Sequence, residues 1–224
     1  LAGRDFQWSI DANESSFSLF GKFPKSEALV DLPMPSLALS NVSLGLQALF
    51  LAGVKIDHER LKFSLRQLHL PGRFDRCIDK LTGVKVILDV AHNPAAALML
   101  ATNIQRELQK NPGIKQISVV IGVMADKDIR AIVTNLRPCV NSWYISQLDS
   151  SRSMSVKDIA TCMKVEDRIV LANGRSFAEC YNQACAELLK YQEVKKDCEG
   201  VVIVTGSFLS VTAVQELVER KKIS

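Results

Sequence analysis

Val84-Lys85-Val86-Ile87-Leu88-Asp89-Val90-Ala91-His92-Asn93-Pro94 decides the fold. It opens as a nearly continuous apolar, β-branched run, the pattern of a strand covered on both faces rather than one. It closes on Asn93, a residue type that caps helices, and on Pro94, whose fixed φ suits a first helical turn. The stretch therefore reads as a buried strand running directly into a helix over Pro94 to Lys110.

Downstream the same rhythm repeats. Strands are predicted at Ile117 to Gly122, Ser142 to Ser146, Arg168 to Ala172 and Val201 to Thr205. Helices are predicted at Asp128 to Leu136, Ser155 to Lys164, Ser176 to Tyr191 and Ser210 to Lys221. Short apolar strands alternating with amphipathic helices give a doubly wound α/β domain around a parallel sheet. No internal repeat or low-complexity segment interrupts it.

Upstream the composition changes. Leu70-Pro71-Gly72-Arg73-Phe74 reads as a linker, since Pro-Gly cannot continue a helix. Before it, Phe6 to Ile10 and Ser16 to Phe20 alternate with period two and predict an antiparallel hairpin. Pro33 and Pro35 break the chain ahead of an apolar run from Leu37 to Leu51, which predicts a mostly buried helix ending at Gly53. Asp57 is placed to cap a second helix with Leu61, Leu65 and Leu68 on one face.

The composition, 47% hydrophobic and 23% charged, is that of an ordinary globular protein. The net charge of +4 comes from scattered basic residues, apart from Lys195-Lys196 and Arg220-Lys221-Lys222. No aromatic residues interleave with them, which argues for a solvated surface and against nucleic-acid binding. Six cysteines form no C-x-x-C pair, and His58, His69 and His92 are not spaced with them as metal ligands. They read as reduced thiols of a cytosolic protein. No apolar run approaches the roughly 18 residues of a membrane span, and none of this sequence reads as a signal peptide. The chain starts at Leu1 rather than Met, which suggests a processed or truncated product.

Ligands of an open parallel sheet bind beyond the carboxyl ends of its strands. Three such ends carry polar clusters. In Asp89-Val90-Ala91-His92-Asn93-Pro94, Asp89 suits ribose hydroxyls and His92 suits an anion; an ordinary capped turn is the lesser reading of the cluster. In Gly122 to Asp128, Lys127 offers a point charge while Asp126 or Asp128 caps the next helix, or the segment is simply a charged loop. In Thr205-Gly206-Ser207-Phe208, Gly206 permits close backbone approach and Ser207 offers a hydroxyl, although Gly-Ser turns are common. Ser207 is not in a G-x-S-x-G nucleophile setting, and no G-x-G-x-x-G or G-x-x-x-x-G-K-[ST] occurs. Any phosphate cradle lies outside this sequence.

Leu70-Pro71-Gly72-Arg73-Phe74, Asp89 to Pro94, Asp126-Lys127-Asp128 and Gly206-Ser207-Phe208 occur in this order. Together they resemble the dihydrofolate synthase/folylpolyglutamate synthase family of the Mur ligase superfamily, most of all its bacterial bifunctional members. The resemblance covers nearly the whole chain. It implies that residues 1–70 are the tail of a central α/β P-loop ATPase domain. Residues 71–224 are then a Rossmann-like C-terminal glutamate-ligase domain, a mostly parallel sheet with helices on both faces. It implies ATP-dependent ligation of L-glutamate to dihydropteroate or folylpolyglutamate through an acyl phosphate.

By the same resemblance Asn41, Arg73 and Asp89 contact ATP, with Arg73 at the phosphates. His92, Lys127 and Ser207 line the glutamate site, and Arg73, His92 and Lys127 carry the catalysis. The ligands of Mg2+ are expected in an N-terminal half that this sequence lacks, so these residues alone should be inactive. A cytoplasmic monomer with no membrane partner is expected. Two other readings stand beside it: a stand-alone, non-catalytic nucleotide-binding α/β module, and a Mur-type ligase acting on a UDP-linked sugar.

Overall fold

The computed structural model describes residues 3–13, 15–21, 28–35, 37–68 and 70–220; His69, Lys221 and Lys222, named above, lie outside them. The backbone divides into two compact units, Leu1–Leu70 and Pro71–Ser224.

In the first unit the expected hairpin forms from β1 (Phe6–Ile10) and β2 (Ser16–Gly21), with Trp8 opposite Leu19 and Ile10 opposite Phe17. Alternation sends Phe6, Phe17 and Leu19 into the core. A strand absent from the sequence reading, β3 (Leu29–Pro33), pairs antiparallel with β2. Its proline sits at the last position, a strand end, where a missing N–H is tolerated. Helices α1 (Leu39–Leu51) and α2 (His58–Gln67) follow. Asp57 caps α2, its side chain accepting from the Arg60 N–H at 2.7 Å. The expectation that α1 is mostly buried is corrected. Leu39, Val42 and Leu46 join the core, whereas Leu44, Leu49 and Leu51 are exposed. A helix resting on one small sheet buries one stripe, so an all-round apolar sequence overstates its burial.

The second unit is built on a seven-stranded sheet. Its strands are β4 (Asp75–Asp79), β5 (Lys85–Leu88), β6 (Ile114–Ile121), β7 (Ser142–Ile145), β8 (Ile169–Leu171), β9 (Glu199–Thr205) and β10 (Val218–Arg220). Their spatial order is β10-β4-β5-β9-β6-β7-β8. From β5 to β8 all pairings are parallel, while β4 and β10 run antiparallel at one edge. The mostly parallel sheet matches the expectation; the antiparallel margin was not anticipated.

Helices α3 (Pro94–Lys110), α4 (Ile129–Leu136) and α5 (Val156–Ala160) bury Leu100, Ile104, Ile132, Leu136 and Ile159 on one face of the sheet. Helices α6 (Phe177–Val194) and α7 (Phe208–Val214) bury Phe177, Tyr181, Leu188, Val211 and Val214 on the other. Successive strand residues feed opposite layers: Val119 and Ile121 one, Val120 the other. Two expected helices are corrected. Helix α5 stops early, where the Thr161 hydroxyl donates to the Asp158 carbonyl. The helix expected over Ser210 to Lys221 ends at Val214, and the chain turns into β10, which buries Val218 and pairs along β4.

The connections create the crevice. The chain leaves β5 toward α3 on one face, reaches β6, β7 and β8 in turn, and returns through α6 on the other face to β9, between β5 and β6. Neighbouring strands β5 and β9 thus send their following helices to opposite faces. The loops after them part, leaving an open edge at the topological switch point.

Candidate active site

Four side chains converge at that edge. Asp89 follows β5 and is 8% exposed. Its Oδ2 accepts from the Phe74 N–H at 2.9 Å and its Oδ1 from the Ala91 N–H at 2.9 Å. Burial pushes its carboxyl up to about 6, against the pull of those two N–H groups and of the nearby Arg73 and His92 charges. Phe74, on the far side of one bond, is buried and holds φ at +49°. The left-handed region costs a bulky residue about 1 kcal/mol, and the bond from the Phe74 N–H to Asp89 is made in that conformation.

Arg73 precedes Phe74. Its guanidinium carbon lies 5.9 Å from the centre of the Phe208 ring, within the range of a cation–π contact. The ring of His92 lies 6.5 Å from the same phenyl ring, inclined at 35°. Phe208 is 61% exposed, so an aromatic face stands in the crevice between two basic side chains. His92 Nδ1 lies 3.0 Å from the Val90 carbonyl oxygen. A carbonyl only accepts, so Nδ1 carries the hydrogen, and in the neutral ring Nε2 is the acceptor. The turn that presents His92 is fixed by Asn93, whose side chain accepts from the Ala96 N–H at 2.9 Å, with Pro94 in the first turn of α3. The positive end of that helix dipole adds to the same edge.

Gly206 and Ser207 supply the wall from β9. Gly206 has φ +102°, and a Cβ there would lie 2.4 Å from the Gly122 carbonyl oxygen. Only glycine allows the β9 and β6 ends to approach this closely. Ser207 is 7% exposed and uses its hydroxyl to cap α7, accepting from the Leu209 N–H at 3.2 Å. Ser210 donates to the Gly122 carbonyl at 3.1 Å, which ties α7 back to β6.

Lys127 sits in the β6–α4 loop, at the same carboxyl edge of the sheet. Its Nζ is 2.7 Å from Asp126 Oδ2, an ion pair that holds the Asp126 carboxyl below the usual range. Asp128, not Asp126, caps α4, accepting from the Ala131 N–H at 3.0 Å. The loop is braced by the segment after β7: Ala125 N–H donates to the Arg152 carbonyl at 2.8 Å and Met154 N–H to the Val123 carbonyl at 2.9 Å.

Of the residues expected from sequence, Arg73, Asp89 and His92 come together, with Ser207 next to Phe208. Lys127 is engaged by its neighbour Asp126. Asn41 belongs to the first unit, exposed in the first turn of α1. The sequence reading missed the ring of Phe208 as a contact surface, although an apolar residue exposed at a helix start was a usable sign. It also missed the Phe74 N–H, for which no sign exists. Among the described residues no group of three or more His, Cys, Asp or Glu is arranged to hold a metal ion. No helix among them is long and apolar enough to cross a membrane.

Known proteins share this fold. The family described as Mur ligase, glutamate ligase domain, matches residues 72–208. The dihydrofolate synthase/folylpolyglutamate synthase of Buchnera aphidicola (subsp. Schizaphis graminum) is 30% identical over 193 residues, covering 86% of this chain and 42% of the relative. The E. coli FolC structure in complex with DHPP and ADP superposes with a TM-score of 0.75 at 25% identity, covering 96% of this chain and 46% of that one. The bifunctional folylpolyglutamate synthase/dihydrofolate synthase of Yersinia pestis, complexed with AMPPNP and Mn ion, gives 0.74 at 26% identity, covering 96% and 46%. The chain spans less than half the length of each of these three. The strand-end loops that gather Arg73, Asp89, His92 and Ser207 all fall inside the matched span, and the chain belongs to the Mur ligase family through its glutamate ligase domain.

Proposed function

We propose that the chain forms part of a bifunctional dihydrofolate synthase/folylpolyglutamate synthase that joins L-glutamate to dihydropteroate or to a folylpolyglutamate. In this reading residues 1–70 close a central ATP-binding ligase domain and residues 71–224 are the glutamate-ligase domain. The observation that carries it is the grouping of Arg73, Phe208, His92 and Asp89 at the switch point of a glutamate ligase domain.

The donor set fits phosphate at one place. Arg73 stands in the linker with its guanidinium at the crevice, the geometry that meets phosphoryl oxygens. A divalent cation finds no such ligand set among the described residues. The nucleotide supplies the phosphoryl group that activates the acid's carboxylate. Arg73 stabilises charge on that group in transfer, where positioning and electrostatics do most of the work. The glutamate amine then attacks the acyl carbon, the C–N bond forms, and phosphate leaves with the electron pair of the C–O bond. In this reading the neutral ring of His92 takes the proton of the attacking amine on Nε2. Lys127 holds a glutamate carboxylate once it parts from Asp126, and Ser207 shapes the wall beside them. Asp89 serves the nucleotide in the second unit, and Asn41 is read as a nucleotide contact of the first unit by itself.

The test is an assay of the whole ligase for ADP release that needs both L-glutamate and dihydropteroate or a folate. Arg73→Ala should lower turnover by well over tenfold and change the glutamate KM little. ADP release supported by a UDP-linked sugar acid instead, or turnover indifferent to Arg73→Ala, overturns the reading.

A further inference from the structure

Arg73 is bracketed by two hydrogen bonds from one short stretch after β5. On its N-terminal side the Gly72 carbonyl accepts from the Val90 N–H at 2.9 Å. On its C-terminal side the Phe74 N–H donates to Asp89 Oδ2 at 2.9 Å. Between these clamps the backbone passes through two left-handed residues, Gly72 at φ +66° and Phe74 at φ +49°. That path aims the intervening residue at the crevice and at Phe208. Of the two clamps only the second depends on a side chain. Its other oxygen is held by the Ala91 N–H, so the carboxylate is fixed in one orientation, almost out of solvent.

We propose that Asp89 is a positioning residue for Arg73: its carboxylate, acting through the Phe74 N–H, holds the linker backbone in the path that delivers the guanidinium to the crevice. Its service to the nucleotide is then indirect. The consequence for catalysis rests on the ligase reading above; the positioning itself does not. The two are separable by experiment.

In the 224-residue chain, Asp89→Asn keeps the size of the side chain but leaves one acceptor for two N–H groups. Asp89→Ala leaves none. By 15N relaxation, the backbone amides of Arg73 and Phe74 should fall from order parameters of about 0.85 to about 0.6 or less in Asp89→Ala, with a smaller fall in Asp89→Asn. Amides of α4 should stay unchanged and report that the fold is intact. Rigid Arg73 and Phe74 amides in an intact Asp89→Ala chain overturn the proposal. In the whole ligase, turnover of the Arg73→Ala, Asp89→Asn double variant should equal that of Arg73→Ala alone, since the second change acts through the first. ATP and 2′-deoxy-ATP should be affected equally by Asp89→Asn. Losses that multiply in the double variant, with discrimination against 2′-deoxy-ATP abolished by Asp89→Asn, place the carboxylate on the ribose and overturn the proposal. Loosened amides with turnover insensitive to Arg73→Ala uphold the positioning and refute the ligase reading instead.

Discussion

Tyr181 donates its hydroxyl hydrogen to Asp79 Oδ2 at 2.7 Å, tying α6 to the end of β4 with both groups buried. The same carboxylate accepts from the Thr82 hydroxyl and from the Thr82 and Leu81 N–H groups, so it terminates the β4–β5 hairpin as well. Tyr181→Phe keeps the ring packed and leaves one carboxylate oxygen without this donor. A loss of about 1–2 kcal/mol in urea denaturation is expected. An unchanged midpoint refutes this role.

Asp89 should titrate visibly. Burial pushes its carboxyl up to about 6, so the folded state binds its proton more tightly than the unfolded chain does. The stability it contributes is full below the unfolded pKa of about 3.9 and is lost as pH rises through about 6, a change of roughly 2–3 kcal/mol. Asp79 has the opposite sign. Burial pushes that carboxyl up, but its hydrogen bonds prevail and hold it below the usual range, so its contribution is lost as pH falls. The amide protons of Phe74 and Ala91 should shift together with a midpoint near 6 in NMR titration, and Asp89→Asn should abolish the shift.

Freeing Lys127 tests its place in the site. Asp126→Asn removes the charge that now holds Nζ. The glutamate KM of the whole ligase should fall, whereas Lys127→Met should raise it about tenfold or more, the loss of one charge-assisted contact. Equal KM values in both variants would take Lys127 out of the glutamate site.

Phe208 is expected to matter through its ring face. Phe208→Leu should lower turnover about two- to fivefold, the worth of an exposed cation–π contact, with the glutamate KM held. Phe208→Tyr should restore it. Failure of the tyrosine variant to rescue would mean that the effect is packing alone.

Much of this architecture was readable because buried parallel strands and amphipathic helices leave different periodicities. Val84 to Leu88 followed by Asn93-Pro94 told the strand, the turn and the cap at once, and the structure repeats that reading in the hydrogen bond from the Ala96 N–H to Asn93. Strand β4 escaped because Asp75, Arg76 and Asp79 give it the composition of a loop, and β10 because three residues carry no period. The site was legible as a set of strand ends, not as a geometry. Nothing in the order of residues announces that the Phe74 N–H finds a carboxylate placed after β5, nor that the charge of Lys127 is met by the residue before it. Contacts between irregular segments have no periodicity to read.

Both margins of the seven-stranded sheet are closed by short strands. A row of unpaired N–H and C=O groups along β4 would be a template for a strand from a neighbouring copy. Val218–Arg220 occupies that row, and at the opposite margin Ile169–Leu171 is equally brief. Neither rim is long enough to seed a ladder. Cutting the chain after Leu217 would expose the flank of β4 and offer its unpaired backbone groups to a strand of another molecule.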